Sequence, residues 1–164
     1  MSATRIELLQ RMPIFGALRA DSLQFLVEQA RVLSVAADAF FFREGDQASS
    51  MFVLEAGRVA VLKGWQGREL LVRHLAKGDC FGEMALMDLF PRSASVRAVE
   101  NCTAIELTPA HLFQLFERDA EQFALIQMNI GREICRRLRE SDDALFRARM
   151  GDSAVPTDHV FRST

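Results

Sequence analysis

The stretch Phe81-Gly82-Glu83-Met84-Ala85-Leu86-Met87-Asp88-Leu89-Phe90-Pro91-Arg92-Ser93-Ala94 decides how this chain is read. It lies between two β-like runs, yet residues 83–87 are good helix formers. A short helix set into β-structure presents free backbone N–H groups at its start, and these favour an anion. Gly82 allows close approach to the backbone. Arg92 offers a planar fork that matches phosphate oxygens. Glu83, when ionised, is an acceptor suited to a sugar hydroxyl. The combination suits an anionic, sugar-bearing ligand.

Outward from this stretch, the chain changes character twice. Residues 32–107 hold short runs of strand length at 32–35, 39–42, 51–54, 58–63, 70–75, 94–99 and 103–107. Between them stand Gly45-Asp46, Ala56-Gly57, Gly64 with Gly67, and Lys77-Gly78-Asp79. Many short strands at such spacing predict an antiparallel sandwich or barrel. Gly64-Trp65-Gln66-Gly67 reads as a hairpin tip. Before residue 32 the pattern is helical, broken at Pro13 and Gly16 and restarted near Asp21. After it, Thr108-Pro109 starts a short helix, and a longer one is predicted over 120–150. Phe123, Ile126, Ile130, Ile134, Leu138 and Leu145 keep helical spacing on one side of it. Gly151 is the expected stop, followed by a polar tail.

With those residues in view, the chain resembles the cyclic-nucleotide-binding domain family. The family's phosphate-binding cassette is matched by Phe81-Gly82-Glu83, Ala85-Leu86, Pro91 and Arg92-Ser93-Ala94. The spacing from glutamate to arginine is similar to that of kinase regulatory subunits and cyclic-nucleotide-gated channels. Gly45, Gly57 and Gly78 match turn glycines of the family's β-roll, and the likeness runs over roughly residues 13–148. It implies an α+β fold: an antiparallel β-roll, jelly-roll-like, with N-terminal helices, a short cassette helix and two C-terminal helices. The division expected is an N-terminal helical segment (1–31), the β-roll (32–108), C-terminal lid helices (109–150) and a mobile tail (151–164).

The same resemblance implies roles. Arg92 would bind the cyclic phosphate with the backbones of Ala85 and Ser93. Glu83 would accept from the ribose 2′-hydroxyl, with Gly82 and Met84 lining that side. Val72, on a facing strand, and Arg132, in the final helix, would approach the base. The ligand implied is cAMP or cGMP, with no further cofactor. A protein partner controlled by movement of the last helix is expected. A homodimer along Ile126, Ile130, Ile134 and Leu138 is a further option, although Gly131 and Glu133 interrupt a strict heptad. The alternative reading is a constitutive interaction module whose pocket has degenerated.

Composition sets the outer bounds. The 164 residues carry 49% hydrophobic side chains, including 13 Phe, enough for a packed core. A formal charge of −2 gives no reason to expect a general nucleic-acid binder. The chain ends soon after its last helix, so DNA contact through an appended helix-turn-helix is not expected. Cys80, Cys102 and Cys135 form no CxxC pair or Cys/His cluster, which argues against zinc, a disulfide framework or a redox centre. Reduced thiols, with no signal-like N-terminus and no membrane-length apolar run, fit a cytoplasmic protein. His74, His111 and His159 have no metal spacing. P-loop, dinucleotide-binding and nucleophile-elbow motifs are missing, so no catalytic residues or metal ligands are assigned and an enzyme is not expected.

Overall fold

Eight strands pair into two four-stranded antiparallel sheets in the computed structural model, which describes residues 3–151. Helix α1 (Ala3–Gln10), a 3-10 turn at Pro13–Phe15 and α2 (Ala20–Gln29) precede them. The strands are β1 (Arg31–Val35), β2 (Phe40–Phe42), β3 (Met51–Ala56), β4 (Arg58–Trp65), β5 (Arg68–Ala76), β6 (Cys80–Phe81), β7 (Ser95–Ala98) and β8 (Cys102–Leu107). Helix α3 (Met84–Asp88) interrupts the series after β6, and α4 (Pro109–Arg118) and α5 (Ala120–Gly151) follow it. One sheet has the order β1-β8-β3-β6, the other β2-β7-β4-β5. The fold is the α+β roll expected from the sequence. The tail from residue 152 lies outside the described residues.

Period-two alternation divides the core. On β3, Met51 and Val53 face the helices, while Phe52 and Leu54 face the second sheet. Strand β8 repeats this, with Ile105 and Leu107 toward the helices and Cys102 and Ala104 between the sheets. Both faces of these central strands are therefore apolar. The cover over β3 and β8 comes from Leu9, Phe15, Leu23, Leu115, Ile126 and Ile130, all at most 1% exposed. A dimer seam through Ile126 and Ile130 is thereby ruled out, because the chain's own core consumes both side chains. Only Leu138, 60% exposed, and Leu145, 52% exposed, remain open on that stripe.

Two local features extend what the sequence indicates. The β4–β5 turn is Gln66-Gly67, with φ of 48° and 75°, so Trp65 and Arg68 still pair and Gly64 stays in the strand. Primed two-residue turns match the twist of the flanking strands, which is why the hairpin is longer than the glycines suggest. His111 closes a capping box: the Thr108 N–H donates to its Nδ1 at 3.2 Å, and its own N–H donates to Thr108 Oγ1 at 3.4 Å. That role accounts for His111 without catalysis.

Polar anchors fix α5. The Asn129 amide donates to the carbonyls of Ile14 (3.2 Å) and Gly16 (2.9 Å), and Gln122 Oε1 accepts from the Arg19 N–H at 2.7 Å. These bonds set the rotation of the helix about its axis. They thereby determine which later residues reach the roll.

Candidate functional site

Strand β6 delivers the chain to Gly82, whose φ of +75° lies in the left-handed region. A Cβ there would stand 2.5 Å from Arg92 Nη1 and 3.3 Å from the Ser50 carbonyl oxygen. Glycine is thus required twice, for the backbone turn and for room beside the arginine. Helix α3 ends at Leu89, also left-handed at φ 59°, a conformation costing a branched side chain roughly 1–2 kcal/mol. The Asp88 carboxylate accepts from the Phe90 N–H at 3.1 Å and holds that turn.

Arg92 is tied down by its backbone. Its N–H donates to the Asp46 carbonyl and its carbonyl accepts from Gly45, each at 2.9 Å. The guanidinium lies 3.9 Å from the Phe42 ring centroid and 5.8 Å from that of Phe52, in cation–π range. Nη1 donates to the Gly82 carbonyl at 3.2 Å, while the buried Nε has no partner. The residue is only 7% exposed, and no carboxylate among the described residues pairs with it. Burial pulls its pKa below the usual guanidinium value, against the opposing charges of Asp46, Glu106 and Glu83. A buried cation without a counterion is costly, and an anion at this point would relieve the cost.

Glu83 is buried beside it. Its Oε1 accepts from Arg137 Nη1 at 2.8 Å, and its Oε2 is buried with no partner. Arg137 Nη2 also donates to the Cys80 carbonyl, and Glu133 lies 3.2 Å from the same nitrogen. Burial disfavours the Arg137 charge, but Glu83, Cys80 and Glu133 outweigh it and its pKa is raised. The Cys80 thiol, by contrast, is pushed up to about 12 by burial and then by Glu83, so it stays protonated and unreactive.

These groups share a cavity of about 460 Å³. Gly82, Glu83, Met84, Arg92 and Ser93 line it from the cassette, with Val72 and Arg73 from β5. Ala85 lies in α3, one residue after Met84. From α5 come Ile134, Arg137, Leu138 and Ser141. Lys63 adds a further cation, donating to the Ser93 carbonyl while paired with Glu44 at 3.0 Å. Among the described residues, five buried side-chain polar atoms lack a partner, and three of them, Arg92 Nε, Glu83 Oε2 and Arg137 Nε, belong to residues lining this cavity.

Seven of the eight residues singled out in the sequence are therefore in or beside one cavity. Arg132 is not. It is exposed, and its Nη1 donates to Asn129 Oδ1 at 3.1 Å. The correction follows from helical phase: Ile126, Asn129 and Ile130 face the body, and Arg137 continues that face. Sequence reasoning missed Arg137, Lys63 and Phe42.

The ion pairs along α5 are pH-sensitive. Burial pushes the Glu133 carboxyl up, but hydrogen bonds and charge from Arg136 and Arg137 outweigh it and hold its pKa below the ordinary value. A depressed folded-state pKa stabilises the fold above the unfolded value, and this contribution is lost as pH falls through the folded one. Thermal melts of Glu133→Gln should therefore show a smaller loss of stability on acidification below the ordinary 4.5 than the wild type. Parallel losses in the two proteins would show that the pair contributes nothing there.

No group of metal-ligating side chains occurs among the described residues, and none of their helices is long and apolar enough to cross a membrane. Residues 32–119 match the cyclic nucleotide-binding domain family. The cyclic AMP receptor protein of Thermus thermophilus is 30% identical over 135 residues, covering 79% of this chain and 59% of that protein. The Pycsar effector protein XpPycTIR of Xanthomonas perforans is 33% identical over 125 residues, covering 76% of this chain and 39% of its own. The chain thus spans less than two thirds of the length of these curated relatives. A crystal structure of a cyclic nucleotide-binding domain from Methylobacillus flagellatus superposes with a TM-score of 0.78 at 20% identity, over 94% of this chain and 84% of that one, a likeness of fold. The cassette residues gathered on one cavity, and the match across more than half of the chain, carry a single conclusion: the chain belongs to the cyclic nucleotide-binding domain family.

Proposed function

We propose that the cavity binds a 3′,5′-cyclic nucleotide, cAMP in preference to cGMP, and that the chain is a cytoplasmic sensor rather than a catalyst. The observation that carries this reading is the buried Arg92 guanidinium, without a carboxylate partner, opening into the same cavity as the unpartnered oxygen of Glu83. The first fits a singly charged cyclic phosphate, the second a ribose hydroxyl. Ser93 and Ala85 supply backbone N–H groups to the phosphate side, and Gly82 and Met84 flank the ribose. Val72 lies on the base side.

The preference for adenine rests on α5. Ile134 and Leu138 offer apolar contact, Arg137 is engaged by Glu83, and the Ser141 hydroxyl donates to the Arg137 carbonyl at 2.9 Å. With the Arg137 Nη atoms held by Glu83 and the Cys80 carbonyl and the Ser141 hydroxyl held by its own helix, the contact that α5 offers a base is mainly the apolar one of Ile134 and Leu138. Isothermal titration with cAMP, cGMP and 5′-AMP tests the assignment. Micromolar or tighter binding of cAMP, weaker binding of cGMP and none of 5′-AMP is expected. No heat with either cyclic nucleotide would favour the constitutive interaction module instead.

The output we assign is a shift of α5 that exposes or hides a surface for a protein partner. A ligand biases such a two-state element only through its differential affinity for the two positions. Support comes from α5 itself, which lines the cavity at residues 134–141 and buries no side chain beyond them. Amide hydrogen exchange in residues 133–151 should slow by at least tenfold at saturating cAMP. Identical exchange with and without ligand would overturn the switch. Pairing of two copies along α5 would have to use Leu138, Leu145 and Phe146, which are exposed, rather than Ile126 and Ile130.

A further inference from the structure

The phosphate side of the cavity carries a cation besides Arg92. Lys63 stands near the end of β4, and it lines the cavity together with Arg92, Ser93 and Ala94. Its ammonium donates to the carbonyl of Ser93, the residue after Arg92, and lies 3.0 Å from Glu44 Oε1. These two contacts engage two of its three donors, and the third is left for another acceptor. The anchor on Ser93 holds the ammonium to the cassette itself, across 30 residues of chain.

Glu44 restrains that ammonium from a fixed position. Its Oε2 accepts from the Gly64 N–H at 2.8 Å, and its own N–H donates to Ser95 Oγ at 2.9 Å. The bond from Gly64, and then that from Lys63, hold its carboxyl below the ordinary value. The next two residues grip the Arg92 backbone, Gly45 through its N–H and Asp46 through its carbonyl, each at 2.9 Å. The carboxylate is thus fixed, but the ion pair is not buried, since the Lys63 side chain is 54% exposed. Exposed pairs are weak, because water screens them and ordering a long side chain costs entropy. A lysine on its flexible stem can also turn to a new acceptor, whereas Arg92 is wedged against Phe42. We propose that Lys63 is a further phosphate-binding residue, restrained by Glu44 until the ligand's anionic group draws it away. The inference rests on the cyclic-nucleotide reading of the site and goes beyond it, since nothing in that reading involves β4 or Glu44. Phosphate recognition then divides between a fixed guanidinium and an exchangeable ammonium, and Glu44 sets the affinity by competing for the second.

The test is a double-mutant cycle read by isothermal titration with cAMP at one ionic strength, with a thermal melt of each protein. It uses the wild type, Glu44→Gln, Lys63→Met and the double variant. Glu44→Gln keeps an amide oxygen for the Gly64 N–H but releases the ammonium, so cAMP should bind about two- to fivefold more tightly. Lys63→Met should bind about 5- to 50-fold more weakly, as expected for loss of a hydrogen bond between charged groups. In the Lys63→Met background the Glu44→Gln gain should shrink to within about 1.5-fold, because no ammonium remains to be released. Lys63→Gln, which retains a donor for the Ser93 carbonyl without the charge, replaces the methionine variant in the cycle if that variant does not fold. A lysine that only braces the Ser93 carbonyl would leave the response to Glu44→Gln the same with and without it, and that result overturns the inference. So would a Glu44→Gln variant that binds no better than the wild type. Failure of the wild type to bind cAMP would instead overturn the site reading on which the inference stands.

Discussion

Arg92→Met should weaken cyclic-nucleotide binding by at least about tenfold while leaving the fold at least as stable as before. Removing one partner of a buried, hydrogen-bonded charge pair costs roughly 2–5 kcal/mol, a loss of about one to four decades in affinity. The stability effect has the opposite sign. Arg92 is 7% exposed, without a carboxylate, and its pKa is lowered by burial. A cation whose pKa falls on folding opposes folding at every pH where the unfolded group is charged. Methionine is unbranched, fills the space over Phe42 and carries no desolvated charge. The terms lost are the bond to the Gly82 carbonyl and the cation–π contact, together about 1–3 kcal/mol, which the relieved burial of the charge offsets. Titration with cAMP and a thermal melt of the same sample check both halves. A variant that binds as well as the wild type removes Arg92 from the site. One that melts far lower shows that the guanidinium was structural.

That opposition of stability and function explains why the cassette was legible in the sequence. Gly82, Glu83, Met84, Arg92 and Ser93 fall within twelve residues, so the chemistry of the site is written locally. The strands were legible for the same reason, since alternation and turn glycines act over a few residues. What could not be read was whatever depends on the meeting of distant elements. Arg137 is one of four arginines between residues 132 and 139, and nothing in that run ranks them. The ranking comes from Asn129 and Gln122, whose bonds to the N-terminal segment fix the rotation of α5. That phase turns Arg132, five residues before Arg137, more than a third of a turn away from it around the helix. The dimer seam fails similarly. Ile126 and Ile130 do form an apolar stripe, but β3 and β8 carry apolar side chains on both faces and claim it as cover. Phe42 escaped notice because its contact with Arg92 joins β2 to the cassette across 50 residues.

The largest loss of stability from a single methyl group is expected at Gly57, in the turn between β3 and β4. Its φ is +90°, and a Cβ there would meet the Asn101 carbonyl oxygen and Cys102 Sγ at 2.6 Å, and Cys102 Cα at 2.9 Å. Two of those atoms are backbone of the segment entering β8, a strand bonded on both sides by β1 and β3. The segment cannot step aside, because Asn101 Oδ1 accepts from the Ala37 N–H and the Cys102 thiol donates to the Arg58 and Glu100 carbonyls. Gly57→Ala therefore combines left-handed strain with overpacking, each about 1–3 kcal/mol. For a domain of this size the sum lowers the melting temperature by roughly 5–25 °C. Gly45→Ala is the control: its φ is +87°, but nothing lies within 4 Å of the added atom, so only the strain remains. Equal drops in the two variants would show that the close approach at Gly57 costs nothing. A larger drop at Gly57 should bring weaker cAMP binding in the fraction that stays folded, since β3 carries Phe52, which stacks on Phe81 at 5.3 Å and lies beneath Arg92. The β3–β4 turn would then be coupled to the arginine through one strand.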